Sequence, residues 1–95
     1  MNRPAEFEWD EAKAISNVAK HGVPFIEVIA VYADPNGIVI DTTRVRDREG
    51  RGKAIGMIEG RLFMVVFTMR GTVCRLISAR RSNRSEERRY GNHPL

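Results

Sequence analysis

Residues 62–67 read Leu-Phe-Met-Val-Val-Phe, and this apolar run predicts the centre of a β-sheet. Successive side chains of a strand point to opposite faces, so a run that is apolar at every position predicts a strand covered on both sides. The turn Glu59-Gly60 just before it predicts a hairpin with the preceding strand. Further short apolar runs predict strands at residues 38–40, 54–58 and 73–79.

Helix signals flank these strands. Asp10 is a good N-cap for a first helix, and Pro24 suits the first turn of a second one. Asn83 followed by Glu86 is a capping-box pattern at the start of a short last helix. The predicted class is α+β, with two N-terminal helices, a four-stranded antiparallel sheet and a short C-terminal helix. We expect one domain over residues 1–95, ending in a flexible tail at 91–95.

The last predicted helix, residues 84–90, is too short and too charged to cover the second face of the sheet well. Part of that face is therefore expected to remain open as a binding surface.

The net charge of +4 is distributed unevenly along the chain. Residues 1–35 carry three basic and six acidic side chains, whereas residues 36–95 carry thirteen basic and six acidic ones. A positive electrostatic field concentrated on one part of a small domain favours binding of a polyanion or an acidic partner. A solvated surface that keeps the protein in solution explains the composition equally well. The single cysteine, Cys74, excludes an internal disulfide and a Cys-rich zinc site. Because no signal peptide or membrane-length apolar run is visible, we expect a cytoplasmic protein.

The run over residues 77–90 holds five arginines at a predicted strand-to-helix junction. Guanidinium groups bind phosphate oxygens bidentately and stay charged, so Arg80 and Arg81 are predicted phosphate ligands. Tyr90 offers a ring for stacking on a base, or a hydroxyl for proton transfer. A solvated helix with internal ion pairs accounts for the helical part of the run but not for Arg80 and Arg81.

A second basic cluster occupies residues 42–53, which are predicted to form a loop up to Gly50. Solvated loop and nucleic-acid contact are equally good interpretations of its alternating charges. On the first helix, Lys13 and His21 share a face, and a histidine at a helix end is more often a cap than a catalyst. The candidate RNA-binding residues are Arg44, Arg46, Arg61, Arg84, Lys13 and His21.

The sequence contains no zinc-hydrolase, P-loop or nucleophile-elbow motif and no carboxylate cluster typical of a two-metal nuclease, so no metal site or cofactor is predicted. Metal-free RNA cleavage remains compatible, with the 2′-hydroxyl attacking the adjacent phosphorus. Arginine cannot be the base. The residues leave the choice of base open among Glu49, Glu87, His21, Tyr90 and a lysine whose pKa is lowered.

Several blocks of residues occur in a recognisable order and spacing over about residues 7–90. They are Phe-Glu-Trp-Asp-Glu-Ala-Lys at 7–13, Asn17, Lys-His-Gly-Val at 20–23, Phe-Ile-Glu at 25–27, Glu49 and Arg51 before Ile55-Gly56, residues 61–68, Arg70-Gly71, residues 76–81 and Arg88-Arg89-Tyr90. Together these blocks resemble BrnT-type toxins of type II toxin–antitoxin systems.

The resemblance implies a RelE-like fold and an endoribonuclease that inhibits translation by cutting mRNA, with or without the ribosome. It also implies a cognate ribbon-helix-helix antitoxin of the BrnA type, a heterotetramer with two antitoxin chains, and DNA contact only through that antitoxin. No membrane partner is implied. By position, the residues carried over as catalytic are Arg51, Lys53, Arg80, Arg81 and Tyr90, with Glu49 added as a candidate base.

Two other functions fit the residues. A non-catalytic nucleic-acid-binding module would show salt-dependent binding without new RNA ends. A protein-interaction module would use the arginines against an acidic partner and would have negligible affinity for RNA.

Overall fold

The structure, a computed structural model, describes residues 3–91. In chain order its elements are β1 (Glu6–Trp9), α1 (Glu11–His21), α2 (Phe25–Val28), a 3₁₀ helix (Ile29–Ala33), β2 (Ile38–Asp41), β3 (Gly50–Ile58), β4 (Arg61–Arg70), β5 (Val73–Arg81) and α3 (Arg84–Gly91). Among these residues no single helix is long and apolar enough to span a membrane. The helices at Glu11–His21 and Phe25–Ala33, bent by 85°, pass that test of length and composition only as a pair.

The strands form one sheet in the order β1-β5-β4-β3-β2, so β4 is central as the apolar run predicts. Val65 and Phe67 of β4 pack on the helix-covered face, against a core that includes Val28 of α2. Met64 packs on the opposite side, the second face, with Ile55. Alternation along β4 thus buries apolar side chains on both sides of the sheet, which fixes its central position.

The prediction of four antiparallel strands is wrong in detail, because the sheet has a fifth strand and is mixed. Strand β1 runs parallel to β5, with Phe7 opposite Cys74 and Trp9 opposite Leu76. Residues 6–9 alternate charged and aromatic side chains, which is itself a strand pattern. Asp10 provides a local signal for the start of α1, but the partner that makes residues 6–9 a strand lies far away in the chain and leaves no local signal.

Two other boundaries differ from the prediction. The second predicted helix is α-helical only over Phe25–Val28 and continues as the tighter 3₁₀ helix. Strand β3 begins at Gly50 and not at residue 54 as predicted, so Arg51 and Lys53 already lie in the strand. Strand β4 is long enough to pair with β3 back to Gly50, and it places Thr68 opposite Arg51.

The predicted caps and the hairpin turn are confirmed. The Asp10 carboxylate accepts hydrogen bonds from the N–H groups of Ala12 (2.8 Å) and Lys13 (3.2 Å). Glu59 and Gly60 turn the chain between β3 and β4 with φ values of 49° and 79°. At α3 the capping box is reciprocal: the Glu86 N–H donates to the Asn83 side chain, and the Asn83 N–H donates to the Glu86 carboxylate.

Helix α3 covers only one end of the second face. Tyr90 packs there against the cluster of Ile38, Ile55 and Met64. The other end of the face carries polar side chains and stays open, in keeping with the expected binding surface. Of the predicted tail, Gly91 is the last residue of α3, and residues 92–95 lie outside the described part of the chain.

Candidate nucleic-acid interface

A row of polar residues crosses the open end of the second face. The strand register places Arg51 of β3 opposite Thr68 of β4, Thr68 opposite Arg75 of β5, and Arg75 opposite Glu8 of β1. Neighbouring strands lie about 4.8 Å apart, so these side chains stand side by side. The register thus places two arginine side chains on one face of the sheet, with the Thr68 side chain between them.

These side chains form one wall of an open groove of about 360 Å³, here called the basic groove. Helix α1 contributes Lys13 to it, and the segment before β3 contributes the acidic residues. The lining residues are Lys13, Asp47, Arg48, Glu49, Arg51, Thr68, Arg70, Arg75 and Ile77. Five cations therefore surround two carboxylates, which gives the groove a net positive potential suited to a polyanion.

Ion pairs hold part of the groove in place. Arg70 donates two hydrogen bonds to the Glu49 carboxylate, at 3.0 and 3.2 Å. Glu8 lies 3.4 Å from the Arg75 guanidinium and 3.8 Å from that of Arg70. Within residues 3–91, by contrast, no carboxylate lies within 4.0 Å of the charged groups of Lys13, Arg48 and Arg51. These three cations are available to a ligand.

Of the predicted catalytic residues, the structure brings Glu49 and Arg51 into the basic groove. Lys53 projects from the same strand two residues further on, opposite Val66, between the groove and α3. Its charge lies close enough to α3 to contribute to a lowered pKa of Glu86.

Arg80 lies at the covered end of the second face and is bound within the protein. Its guanidinium donates two hydrogen bonds of 2.8 Å to the Glu86 carboxylate and one of 3.1 Å to the Arg81 carbonyl. Burial alone would raise the pKa of Glu86, but the hydrogen bonds from Arg80 and from the Asn83 N–H, with the charge of Arg80, lower it below its ordinary value. The pair anchors α3 to the end of β5.

Tyr90 is likewise engaged inside the protein. Its hydroxyl donates a 2.7 Å hydrogen bond to Asp34, whose carboxylate also accepts from the Met57 and Asn36 N–H groups. Burial, followed by the hydrogen bond and the charge of Asp34, raises the pKa of Tyr90 to about 12. A hydroxyl with so high a pKa is a poor base near neutral pH.

Three other candidates, Arg81, Arg61 and His21, lie together in a different place. They line a separate cavity of about 600 Å³ between the α1–α2 connection and the β3–β4 turn. There the Arg81 guanidinium stands 5.7 Å from the centre of the Phe63 ring, a cation–π arrangement. This cavity is on the helix-covered side, away from the basic groove.

The remaining candidates do not join the groove. Arg44 closes its own turn through hydrogen bonds to Asp47, and this contact lowers the pKa of Asp47 and raises that of Arg44. Arg46 is exposed in the same turn, and Arg84 is exposed at the start of α3.

Sequence reasoning missed three residues of the groove, Thr68, Arg70 and Arg75. Arg70 and Arg75 flank the β4–β5 turn, and a two-residue alternation along both strands places Thr68 and Arg75 on the face opposite the core. That signal was present, but it is informative only once the register with Arg51 is known.

The described residues contain no group of three or more His, Cys, Asp or Glu side chains that could hold a metal ion. Comparison with known families adds one finding: residues 9–86 match the family model described as the ribonuclease toxin, BrnT, of type II toxin–antitoxin systems. No curated protein matches the chain.

Proposed function

The chain belongs to the BrnT family of ribonuclease toxins from type II toxin–antitoxin systems, and from that premise we propose that it is a metal-independent endoribonuclease whose basic groove binds and cuts RNA. The observation that carries this proposal is the row of Arg51, Thr68 and Arg75 across three paired strands. Rigid elements hold the cations, so their charge is organised before substrate binds.

Phosphate recognition falls to the cations that the groove leaves open. The Arg51 guanidinium donates bidentately to the oxygens of a phosphodiester, and Arg75, which Glu8 holds in place, stands beside it for the transition state. Lys13 and Arg48 extend the positive surface to neighbouring phosphates, where they contribute affinity without sequence preference.

Cleavage follows from a base beside these cations. Glu49 takes the proton of the 2′-hydroxyl, the 2′-oxygen bonds to phosphorus, and the bond to the 5′-oxygen breaks. The 5′-oxygen receives a proton from water, which leaves a cyclic phosphate and a 5′-hydroxyl. Arg70 orients the Glu49 carboxylate through its two hydrogen bonds. Arg51 and Arg75 stabilise the charge that grows on the phosphate in the transition state.

Arg80 and Tyr90 have a positioning role in this proposal, because Glu86 and Asp34 bind their polar groups. We assign Arg81, Arg61 and His21 no part in the chemical step, because they line a separate cavity.

The biological role proposed here is inhibition of translation in the cytoplasm by cutting mRNA. A ribbon-helix-helix antitoxin of the BrnA type neutralises the toxin, two antitoxin chains complete a heterotetramer, and DNA is contacted through the antitoxin alone. An acidic antitoxin segment laid in the basic groove would block RNA by occupancy.

The test is a cleavage assay in EDTA with purified toxin, a mixed-sequence RNA and mapped product ends. We expect 2′,3′-cyclic phosphate or 3′-phosphate ends. Loss of one phosphate-stabilising donor costs about 10²- to 10³-fold in kcat, so we expect a loss of that order for Arg51→Ala and Arg75→Ala. Arg84→Ala, an exposed arginine on α3, is the matched control and should cleave like wild type.

Three results would overturn the proposal. Restoration of cleavage by Mg²⁺ alone would contradict metal independence. Salt-dependent RNA binding without new ends, also with translating ribosomes present, would identify a non-catalytic binding module. Equal losses in all three variants would show that the groove is not the active surface.

A further inference from the structure

The edge of β5 is open beyond the point where β1 ends. Strand β1 pairs with β5 only as far as Trp9 opposite Leu76, whereas β5 continues to Arg81. Further along this edge, the backbone N–H and C=O of Ala79 face α1. Unpaired N–H and C=O groups at such an edge are costly when they are shielded from water.

The side chain of Asn17 on α1 takes the place of the missing strand. Its Oδ1 atom accepts a 3.0 Å hydrogen bond from the Ala79 N–H, and its Nδ2 atom donates a 2.9 Å hydrogen bond to the Ala79 carbonyl. The same Nδ2 donates to the Val23 carbonyl at 2.9 Å. A carboxamide carries one acceptor and two donors, so it reproduces a peptide group and also ties down the chain after α1.

The hydrogen bonds of Asn17 form a buried tertiary contact between α1 and β5. Asn17 is only 5% exposed, although its neighbours in the middle of α1, Ser16 and Val18, are exposed. A buried, fully bonded amide fixes both the rotation of α1 about its axis and its distance from β5.

One helical turn before Asn17, on the same face of α1, stands Lys13. Residues four apart on a helix lie one above the other, about 6 Å apart along the axis. Going from Asn17 to Lys13 along α1 corresponds to going from Ala79 toward Arg75 along β5. In agreement with this, Lys13 lines the basic groove together with Arg75 and Ile77.

We propose that Asn17 is a positioning residue: by capping the open edge of β5 it holds α1 in the one orientation that aims the Lys13 ammonium into the basic groove, where it binds an RNA phosphate. This inference rests on the proposed function, because it assigns Lys13 a phosphate of the RNA that the groove binds. It makes the contact of Lys13 with RNA depend on an amide that never touches the RNA.

The experiment measures binding of an RNA that cannot be cut, with 2′-deoxy substitutions, by fluorescence anisotropy over a series of salt concentrations. The proteins are wild type, Lys13→Ala, Asn17→Ala and the double variant, with the exposed Ser16→Ala as the matched control. Each phosphate contact with a single strand contributes about 0.7 to the slope of log Kd against log salt. We expect Lys13→Ala and Asn17→Ala each to lower that slope by about 0.7, with the same fold-increase in Kd.

The RNA affinity of the double variant is the decisive measurement. It should bind like either single variant, because both changes remove the same contact. A wild-type slope in Asn17→Ala, or multiplicative losses in the double variant, would overturn the inference, since a merely destabilising change would not act through Lys13. Ser16→Ala should be indistinguishable from wild type.

Amide hydrogen exchange on the wild-type protein gives a second measurement that does not depend on the folding of a variant. The Ala79 N–H should exchange as slowly as amides inside the β4–β5 ladder, and rapid exchange would contradict the edge cap. Wild-type protein that fails to bind RNA would contradict the proposed function itself. Wild-type binding without coupling between positions 13 and 17 would contradict only the role of Asn17.

Discussion

At the scale of single residues, Arg80 and Tyr90 show how a side chain with catalytic chemistry serves as a structural contact. Arg80 is bound by Glu86, and Tyr90 is bound by Asp34. Both contacts join α3 to the body of the protein, and Asp34 belongs to the turn before β2. Their chemistry points to RNA in the sequence, yet their hydrogen bonds stabilise the fold.

Replacing Tyr90 by phenylalanine separates the two roles. The ring still packs against Ile55 and Met64, but Asp34 loses the hydroxyl donor. We expect a loss of about 1 kcal/mol in the free energy of unfolding, typical of one hydrogen bond, and unchanged RNA cleavage. Urea unfolding and initial cleavage rates measure the two effects. A tenfold or larger loss of cleavage in folded Tyr90→Phe would restore the catalytic role predicted from the sequence.

Glu86 makes stability depend on pH. Its pKa in the folded protein lies below the ordinary value of 4.5, since its hydrogen bonds and the charge of Arg80 outweigh burial. The stabilisation is therefore complete above about pH 5 and is lost as the pH falls through the lowered pKa.

Glu86→Gln should cost about 2 kcal/mol at pH 7, because Arg80 loses its charged partner. The variant should also show a smaller loss of stability between pH 5 and pH 3 than wild type. Chemical unfolding at each pH checks this, with the exposed Glu87→Gln as the control. Parallel pH profiles for Glu86→Gln and wild type would refute the assignment.

At the scale of elements, β3 and the 3₁₀ helix approach each other unusually closely at Gly56. A Cβ atom at that position would lie 2.7 Å from the Val31 carbonyl oxygen and 2.9 Å from its Cγ1 atom. Such contacts leave no room for even a methyl group, so the absence of a side chain lets the helix pack directly on the strand.

Gly56→Ala should therefore destabilise the protein by about 1–3 kcal/mol, the usual cost of overpacking a core. Gly50→Ala, in the same strand, is the matched control, because the nearest atom to its Cβ would be 3.8 Å away. Urea unfolding of both variants gives the comparison. Equal stability of the two would mean that the helix moves aside without cost.

At the scale of the whole molecule, folding converts an uneven charge distribution along the chain into a local site. The acidic N-terminal half supplies Glu8 to the edge of the basic groove, where it orients Arg75 and Arg70, and the basic half supplies most of the cations. Lys13, Arg48 and Arg51 remain without an ion pair among residues 3–91. The groove's attraction for a polyanion thus depends on a few identifiable side chains.

These three cations predict the salt dependence of RNA binding. Three phosphate contacts give a slope of log association constant against log salt of about −2 for single-stranded RNA. Arg51→Ala should reduce its magnitude by about 0.7, whereas Arg61→Ala, in the separate cavity, should leave it unchanged. RNA-binding titrations of both variants and of wild type, between low and physiological salt, measure these slopes. An equal change in slope for Arg61→Ala would move RNA binding to the other cavity.

Sequence alone was sufficient to predict the elements that depend on neighbouring residues. The apolar run of β4, the Glu59-Gly60 turn, the Asp10 N-cap and the capping box at Asn83 are local patterns, and the structure confirms them. The resemblance carried by ordered blocks of residues also identified the family.

Which of the functional residues come into contact depends on the tertiary fold. The pairing of β1 with a strand 67 residues later depends on register and packing between distant segments. So do the proximity of Arg51, Thr68 and Arg75 and the ion pair of Arg80 with Glu86. One sequence position constrains its near neighbours through backbone geometry, but a long-range contact is fixed by the free energy of the whole packed arrangement. For that reason Arg51, Thr68 and Arg75 meet in the basic groove across the open end of the second face, whereas Arg80, the first arginine of the C-terminal run, binds Glu86 and holds α3 to β5.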